Sequence, residues 1–270
     1  MNLAVMFAVL GCLLVIGVPI AYSLGGAGIV YMLLRDPVFL LTVPQRVWSG
    51  TNNFIIIAMP LFMLAGELMN RSGLTKRLMD FSALLVRPIR GGLGEVNVIA
   101  SMIFGGISGS SVADTSALGS IEIPSMVKAG YPLGFATGVT VASSTMGMII
   151  PPSIPMLMYA MISGASVGKL FLAGLLPGVL IGLTQFSLTY GISKKNGWHP
   201  KYERMNGREM YKTAKDGLLA VLMPVFIVLS VSLGIATASE SAAIAVLYAL
   251  ILGFFVYKED RKSTRLNSSH

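Results

Sequence analysis

Gly105-Gly106-Ile107-Ser108-Gly109-Ser110-Ser111-Val112-Ala113-Asp114-Thr115-Ser116 separates two apolar stretches with helix-breaking glycines and small hydroxyls. Inside hydrocarbon every backbone N–H and C=O must find a partner, so broken backbone persists only against protein or beside a wet cavity. A second interruption follows, Ser143-Ser144-Thr145-Met146-Gly147 and then Pro151-Pro152. Interrupted apolar segments of this kind are the best sequence pointer to a site between discontinuous membrane helices. The pair predicts two broken elements that face one site.

Composition supports a membrane setting. Hydrophobic residues make up 54% of the 270, charged residues 12%, and the mean hydropathy is +0.75. Soluble domains carry about 25% charged residues. The 30 Gly and 17 Met fit helices that approach closely in lipid. Cys12 stands alone in an apolar stretch, so neither a disulfide nor a thiolate metal site is expected. A net charge of +8 could suggest nucleic acid. The basic residues instead collect in short segments between apolar runs, the distribution of cytoplasmic loops, and no nucleic-acid partner is expected.

Tracing the spans gives a topology. Leu3–Leu34 is too long for one crossing of about 20 residues; Gly17-Val18-Pro19 divides it into two helices, and residues 1–52 read as a scaffold. Residues 53–92 hold a span, Asn53–Met69 with Pro60 and Glu67, then an amphipathic arm. In that arm Leu74, Leu78, Phe81 and Leu85 recur at helical spacing. Arg71, Lys76, Arg77, Arg87 and Arg90 mark the cytoplasmic side. Within residues 93–165, Leu93–Phe104 and Ala117–Val127 are each too short to span and form a re-entrant hairpin that exits at Lys128. Phe135–Ser144 and Ile154–Ile162 form a broken helix. Residues 166–215 hold a span, Leu170–Ile192, and a second basic loop with Lys194, Lys195, Lys201, Arg204, Arg208, Lys212 and Lys215. Residues 216–260 add Gly217–Leu233 and Ser241–Val256, and the polar tail 261–270 reads as non-native. Every basic cluster then lies on one face.

A faint internal repeat aligns Gly17, Ala21, Tyr31 and Leu33 with Gly234, Ala238, Tyr248 and Leu250. The two copies are oppositely oriented in this tracing, as an inverted-topology repeat requires.

Several long motifs resemble one known family. Pro60-Leu61-Phe62-Met63-Leu64-Ala65-Gly66-Glu67-Leu68-Met69, Phe104–Ser110 with Ala113-Asp114, Ile149-Ile150-Pro151-Pro152-Ser153-Ile154-Pro155 and Phe171-Leu172-Ala173-Gly174-Leu175-Leu176-Pro177-Gly178 occur in order. They resemble the large membrane subunit of tripartite ATP-independent periplasmic (TRAP) transporters. The resemblance implies an all-α polytopic membrane protein with an elevator-type fold, inverted repeats, a re-entrant hairpin and a broken helix. It further implies a bacterial inner-membrane location, sodium as coupling ion, an organic-acid substrate such as a C4-dicarboxylate or sialic acid, and two partners: a small membrane subunit and a periplasmic substrate-binding protein. Family members continue beyond Asp260, so a truncated, N-terminal portion of a permease is expected. A stand-alone ion-coupled carboxylate carrier is the alternative reading, and a channel a more distant one.

The chemistry at the breaks follows from the residue types. Sodium needs several oxygen ligands, and unwound helix ends supply carbonyls; Gly106, Ser108, Gly109, Ser110, Ser143, Ser144, Thr145 and Gly147 are the candidates. A carboxylate substrate needs donors, which a helix N-terminus offers; Ser110, Ser111, Asp114, Thr115, Pro151 and Pro152 are the candidates. Asp114 also reads as an N-cap for Thr115–Leu118. Glu67 is expected to pair with Arg71, Glu122 to serve at the interface within reach of Lys128, and Trp48 and Trp198 to anchor at the interface. His199 and His270 sit in polar segments, so sodium is the one metal expected and no cofactor is. No nucleophile–base–orienter set, HExxH or phosphate loop is present, and Ser108-Gly109-Ser110 has no catalytic His in a span.

Overall fold

A glycine–proline pair does split the first apolar run. The computed structural model describes residues 2–86, 92–198 and 206–257, and all the regular elements among them are helical. Arg87, Arg90, His199, Lys201, Arg204, His270 and the tail 261–270 lie outside the described residues.

Residues 1–53 form one unit. Helices α1 (Asn2–Val15) and α2 (Ile20–Arg35) meet at Gly17, whose φ is +87°. The Val18 N–H reaches back to Leu13 O at 3.0 Å and Pro19 fixes the entry to α2. A 3₁₀ turn, Pro37–Leu41, and α3 (Thr42–Thr51) follow. The Asp36 side chain, accepting from Val38 N at 2.9 Å, starts the turn.

The second unit begins at Phe54. It opens with α4 (Phe54–Arg71) and α5 (Leu74–Val86). Arg71 Nε donates to Glu67 Oε1 at 2.6 Å on an exposed face, the pairing expected. The inward stripe of α5 is Leu74, Thr75, Leu78, Ser82 and Val86, while Leu85 is 48% exposed. The expected Leu74/Leu78/Phe81/Leu85 stripe is thus corrected at its C-terminal end, where the helix packs between α6 (Leu93–Ser108) and α11 (Gly207–Ser232). Further elements are α7 (Ser111–Lys128), α8 (Leu133–Ser144), α9 (Ile154–Ser163), α10 (Val167–Asn196) and α12 (Ala238–Ile251).

Among the described residues, four helical stretches are long and apolar enough to cross a membrane: Pro37–Arg71, Val167–Asn196, Gly207–Ser232 and Ala238–Phe255. Lys194 and Lys195 close α10, and Arg208, Lys212 and Lys215 lie in the first turns of α11. Much of the expected basic loop is therefore helix end. Along α10, Leu172, Leu176, Leu180 and Leu183 face outward while Gly174, Gly178 and Gly182 are buried, so the small-residue face packs inward. α12 lies along α4 on Ala238, Ala242, Ala245 and Ala249.

The repeat has a local counterpart. Gly234, φ +71°, ends α11 with Gly234 N–Val231 O and Ile235 N–Ser230 O bonds, matching Gly17 N–Leu14 O and Val18 N–Leu13 O after α1.

Candidate functional site

The Gly/Ser run is more helical than its composition suggests. α6 continues to Ser108 and α7 begins at Ser111, so Gly109 and Ser110 alone lie between them. Gly109 takes φ +62° and caps α6 through its N–H to Gly105 O, 2.9 Å. A side chain would strain that left-handed turn. Ser110, in extended conformation, is the N-cap of α7: its Oγ accepts from Ala113 N at 3.4 Å. The N-cap reading of Asp114 is therefore corrected, because a serine one turn earlier starts the helix. Asp114 sits inside α7, fully buried, and neither carboxylate oxygen has a hydrogen-bond partner.

The second break holds as expected. α8 ends at Ser144, a 3₁₀ turn covers Thr145–Met148, and the chain is non-helical through Pro151-Pro152 before α9. Ser153 closes the break: its Oγ donates to Met148 O at 2.6 Å and accepts from Met156 N at 3.4 Å. Its place before the Ile154-Pro155 helix start is an N-cap signal that sequence reasoning passed over.

These two breaks lie against each other, backbone on backbone. Ile154 N donates to Gly109 O at 3.1 Å, tying the hairpin tip to the start of α9. A Cβ on Gly105 would stand 2.7 Å from Gly147 Cα, one on Gly109 2.8 Å from Pro152 O, and one on Gly106 3.2 Å from Pro151 O. Behind them, a Cβ on Gly174 of α10 would stand 2.7 Å from Ile149 O. No side chain larger than hydrogen fits at Gly105 without moving backbone.

The candidate residues then divide into three settings. Ser108 and Ser110 line a cavity of about 640 Å³ against α4, with Met63, Glu67, Asn70 and Phe104. Ser143, Ser144 and Thr115 lie instead in buried or half-buried contacts among α6, α7 and α8: Thr115 Oγ1 donates to Ser144 Oγ at 2.6 Å, and Ser143 Oγ donates to Asn97 Oδ1 at 2.9 Å. Pro151 lines an apolar pocket with Met102, Ile150 and Pro224, Pro152 is buried, and Thr145 donates to Ala142 O at 2.7 Å. Ser111, at the first position of α7, is half-buried, and its carbonyl accepts from Thr115 Oγ1 at 2.8 Å. Among the expected substrate residues, Ser110 alone lines the cavity at the tip.

Sequence reasoning missed Asn97, Ser101 and Thr140. Asn97 Nδ2 donates to Thr140 Oγ1 at 2.7 Å, and Ser101 Oγ lies 2.9 Å from Ser143 Oγ, all fully buried. The signal was available: Asn97 and Ser101 fall one turn apart in an apolar helix, where an unpaired polar group is costly. Trp198, expected as an interfacial anchor, also packs within the protein. Its ring packs 5.2 Å from Tyr131 and 4.9 Å from Phe135, and its carbonyl accepts from Tyr131 Oη at 3.4 Å, which joins the hairpin exit to the end of α10. Trp48 is 70% exposed.

Comparison with known proteins places this geometry. Residues 5–268 match the family model "Tripartite ATP-independent periplasmic transporter, DctM component". The sialic acid TRAP transporter large permease protein SiaM of Vibrio cholerae is 41% identical over 247 residues, covering 91% of this chain and 57% of that protein. The 2,3-diketo-L-gulonate TRAP transporter large permease protein YiaN of Escherichia coli is 38% identical, covering 93% and 59%. The C4-dicarboxylate TRAP transporter large permease protein DctM of Pseudomonas aeruginosa is 38% identical, covering 89% and 56%. The chain thus spans a little over half the length of these relatives. An all-helical membrane protein with this match over nearly its whole length belongs to the DctM component family of tripartite ATP-independent periplasmic transporters.

Proposed function

We propose that this chain forms the hairpin-and-broken-helix half of a sodium-coupled permease that imports an organic acid across the bacterial inner membrane. In this reading a periplasmic binding protein delivers the acid, a small membrane subunit accompanies the permease, and the broken elements move together in an elevator motion. The observation that carries it is the backbone contact of the two breaks, Gly109 O on Ile154 N and Gly105 against Gly147. Two interrupted helices sealed together set the backbone of both breaks side by side, and several oxygens close together are what a small hard cation requires. Ser108, Gly109 and Ser110 from the tip, with Gly106, Ser143, Ser144, Thr145 and Gly147 around it, are the proposed sodium group. The acid's carboxylate is assigned to the cavity beside Ser110, near the N-terminal amides of α7, whose positive end favours an anion, with Ser111 at the first position of that helix. Thr115 ties that helix start to Ser144, Asp114 lies buried in its first turn, and Pro151-Pro152 leave carbonyls of the break without an amide competitor. The named relatives handle sialic acid, diketogulonate and C4-dicarboxylates, all carboxylates.

The test is uptake of radiolabelled acids by proteoliposomes holding the permease with its small subunit and binding protein. Uptake is expected to need both an inward sodium gradient and the binding protein. Robust flux without the binding protein favours a stand-alone carrier, and flux that never saturates favours a channel; either result overturns the proposal.

A further inference from the structure

Glu122 is fully buried in α7, two turns from Asp114, and neither of its carboxylate oxygens has a hydrogen-bond partner. Its neighbours along the helix show what it faces. Gly119, one turn before it, lies against Thr140 of α8, where a Cβ would stand 3.4 Å from Thr140 Cγ2. Met126, one turn after it, takes Asn97 Nδ2 of α6 at 3.9 Å from its sulfur. Glu122 therefore points into the seam that α7 makes with α6 and α8.

Among the described residues that seam offers no counter-charge. α8 and the Thr145–Met148 turn carry no ionisable side chain. The acid of α6 is Glu95, whose Oε2 accepts from Gly92 N at 2.5 Å. On α7 itself the other charged groups are Asp114, equally buried, and Lys128, which stands exposed at the helix end and makes neither ion pair nor hydrogen bond with Glu122. The expected reach to Lys128, and the interfacial role, are thus corrected. An ionised carboxylate without a partner does not persist in a protein interior; it is neutralised or it binds a cation. A metal ion would need several further oxygens around it. Asn97, Thr140 and Ser143 already spend their polar atoms on one another. A proton needs no second ligand.

We propose that Glu122 is a proton-binding site inside the hairpin, distinct from the tip: its carboxyl is carried as the neutral acid, and losing that proton weakens the packing of α7 against α6 and α8. Because the folded chain holds this proton and the unfolded chain at neutral pH does not, stability falls as pH rises.

The test is infrared difference spectroscopy and thermal melting of the purified protein between neutral and alkaline pH, on the parent, Glu122→Gln, Glu122→Met and Asp114→Asn. Asp114 and Glu122 are both buried acids that contribute to the protonated-carboxyl band at neutral pH, and the component that Asp114→Asn keeps is expected to be lost in both Glu122 variants. Those two are expected to fold and to lose the alkaline decline in Tm that Glu122 causes. Unchanged band intensity in Glu122→Gln overturns the proposal. So does a parent band that vanishes when sodium replaces potassium at fixed pH, which would mean a bound metal ion. Failure of both neutral variants to fold while Glu122→Asp folds would mean that charge is required, and also overturns it.

Discussion

Two seams in this molecule are closed by small residues, and they differ in what the smallness is for. α4 and α12 pack on buried alanines, Ala58 and Ala65 from one helix and Ala238, Ala242, Ala245 and Ala249 from the other. A buried hydroxyl pair, Ser230 with Ser241, 2.9 Å apart, joins α12 to α11. Between the hairpin and the broken helix the contact is backbone against backbone, through Gly105, Gly106, Gly109 and Gly147, and the adjoining interior holds Asn97, Ser101, Asp114, Thr140 and Ser143. Close packing serves a scaffold in the first seam. In the second it brings broken backbone together beside polar groups, the condition under which irregular backbone survives in a membrane.

A matched pair of substitutions sharpens this contrast most. Gly105→Ala adds one carbon, but that carbon meets Gly147 Cα and N, which cannot swing aside as a side chain would. Complete loss of sodium-dependent uptake is expected. Ala242→Val adds two carbons in the alanine seam and should cost about 1–3 kcal/mol of stability by overpacking, with the sodium dependence of uptake kept. Equal losses of uptake in the two variants, at equal expression, would erase the distinction.

Deleting polar groups gives the smaller effects. Asn97→Ala removes two buried hydrogen bonds at once, those to Thr140 and Ser143, and a fall of about 1–3 kcal/mol is expected from thermal unfolding. Ser241→Ala removes one hydroxyl pair in the scaffold and should cost about 1 kcal/mol. An order reversed between these two would show that the ladder is not the better-connected network.

Much of the fold was legible because its signals are local. Gly17 and Pro19 divide α1 from α2, Leu74–Val86 carries helical periodicity over its whole length, and Pro151-Pro152 forbids a continuous helix. The hairpin break was read too long for the same reason. Glycine and serine weaken a helix on their own, yet Gly105 and Gly106 are helical because the partner backbone needs the room of a missing Cβ. That partner is remote in sequence, so composition alone misjudges them. The start of α7 was misplaced because two capping residues competed, and Ser110 has the extended backbone an N-cap needs. The buried ladder went unread because Asn97, Ser101 and Thr140 look like isolated polar residues until α6 and α8 are brought together. The same holds for Glu122, whose setting depends on which face of α7 is covered.

The claim at the centre is that the hairpin tip and the broken helix hold one sodium ion between them. Melting of the detergent-solubilised permease in sodium against potassium, at equal ionic strength, tests it directly. A ligand that binds only the folded state raises stability with its concentration. A Tm that climbs with sodium and not with potassium is expected, with a Gly147→Leu variant that folds but has lost the climb. Identical melting in the two cations, or a sodium-dependent rise that survives in Gly147→Leu, would contradict it.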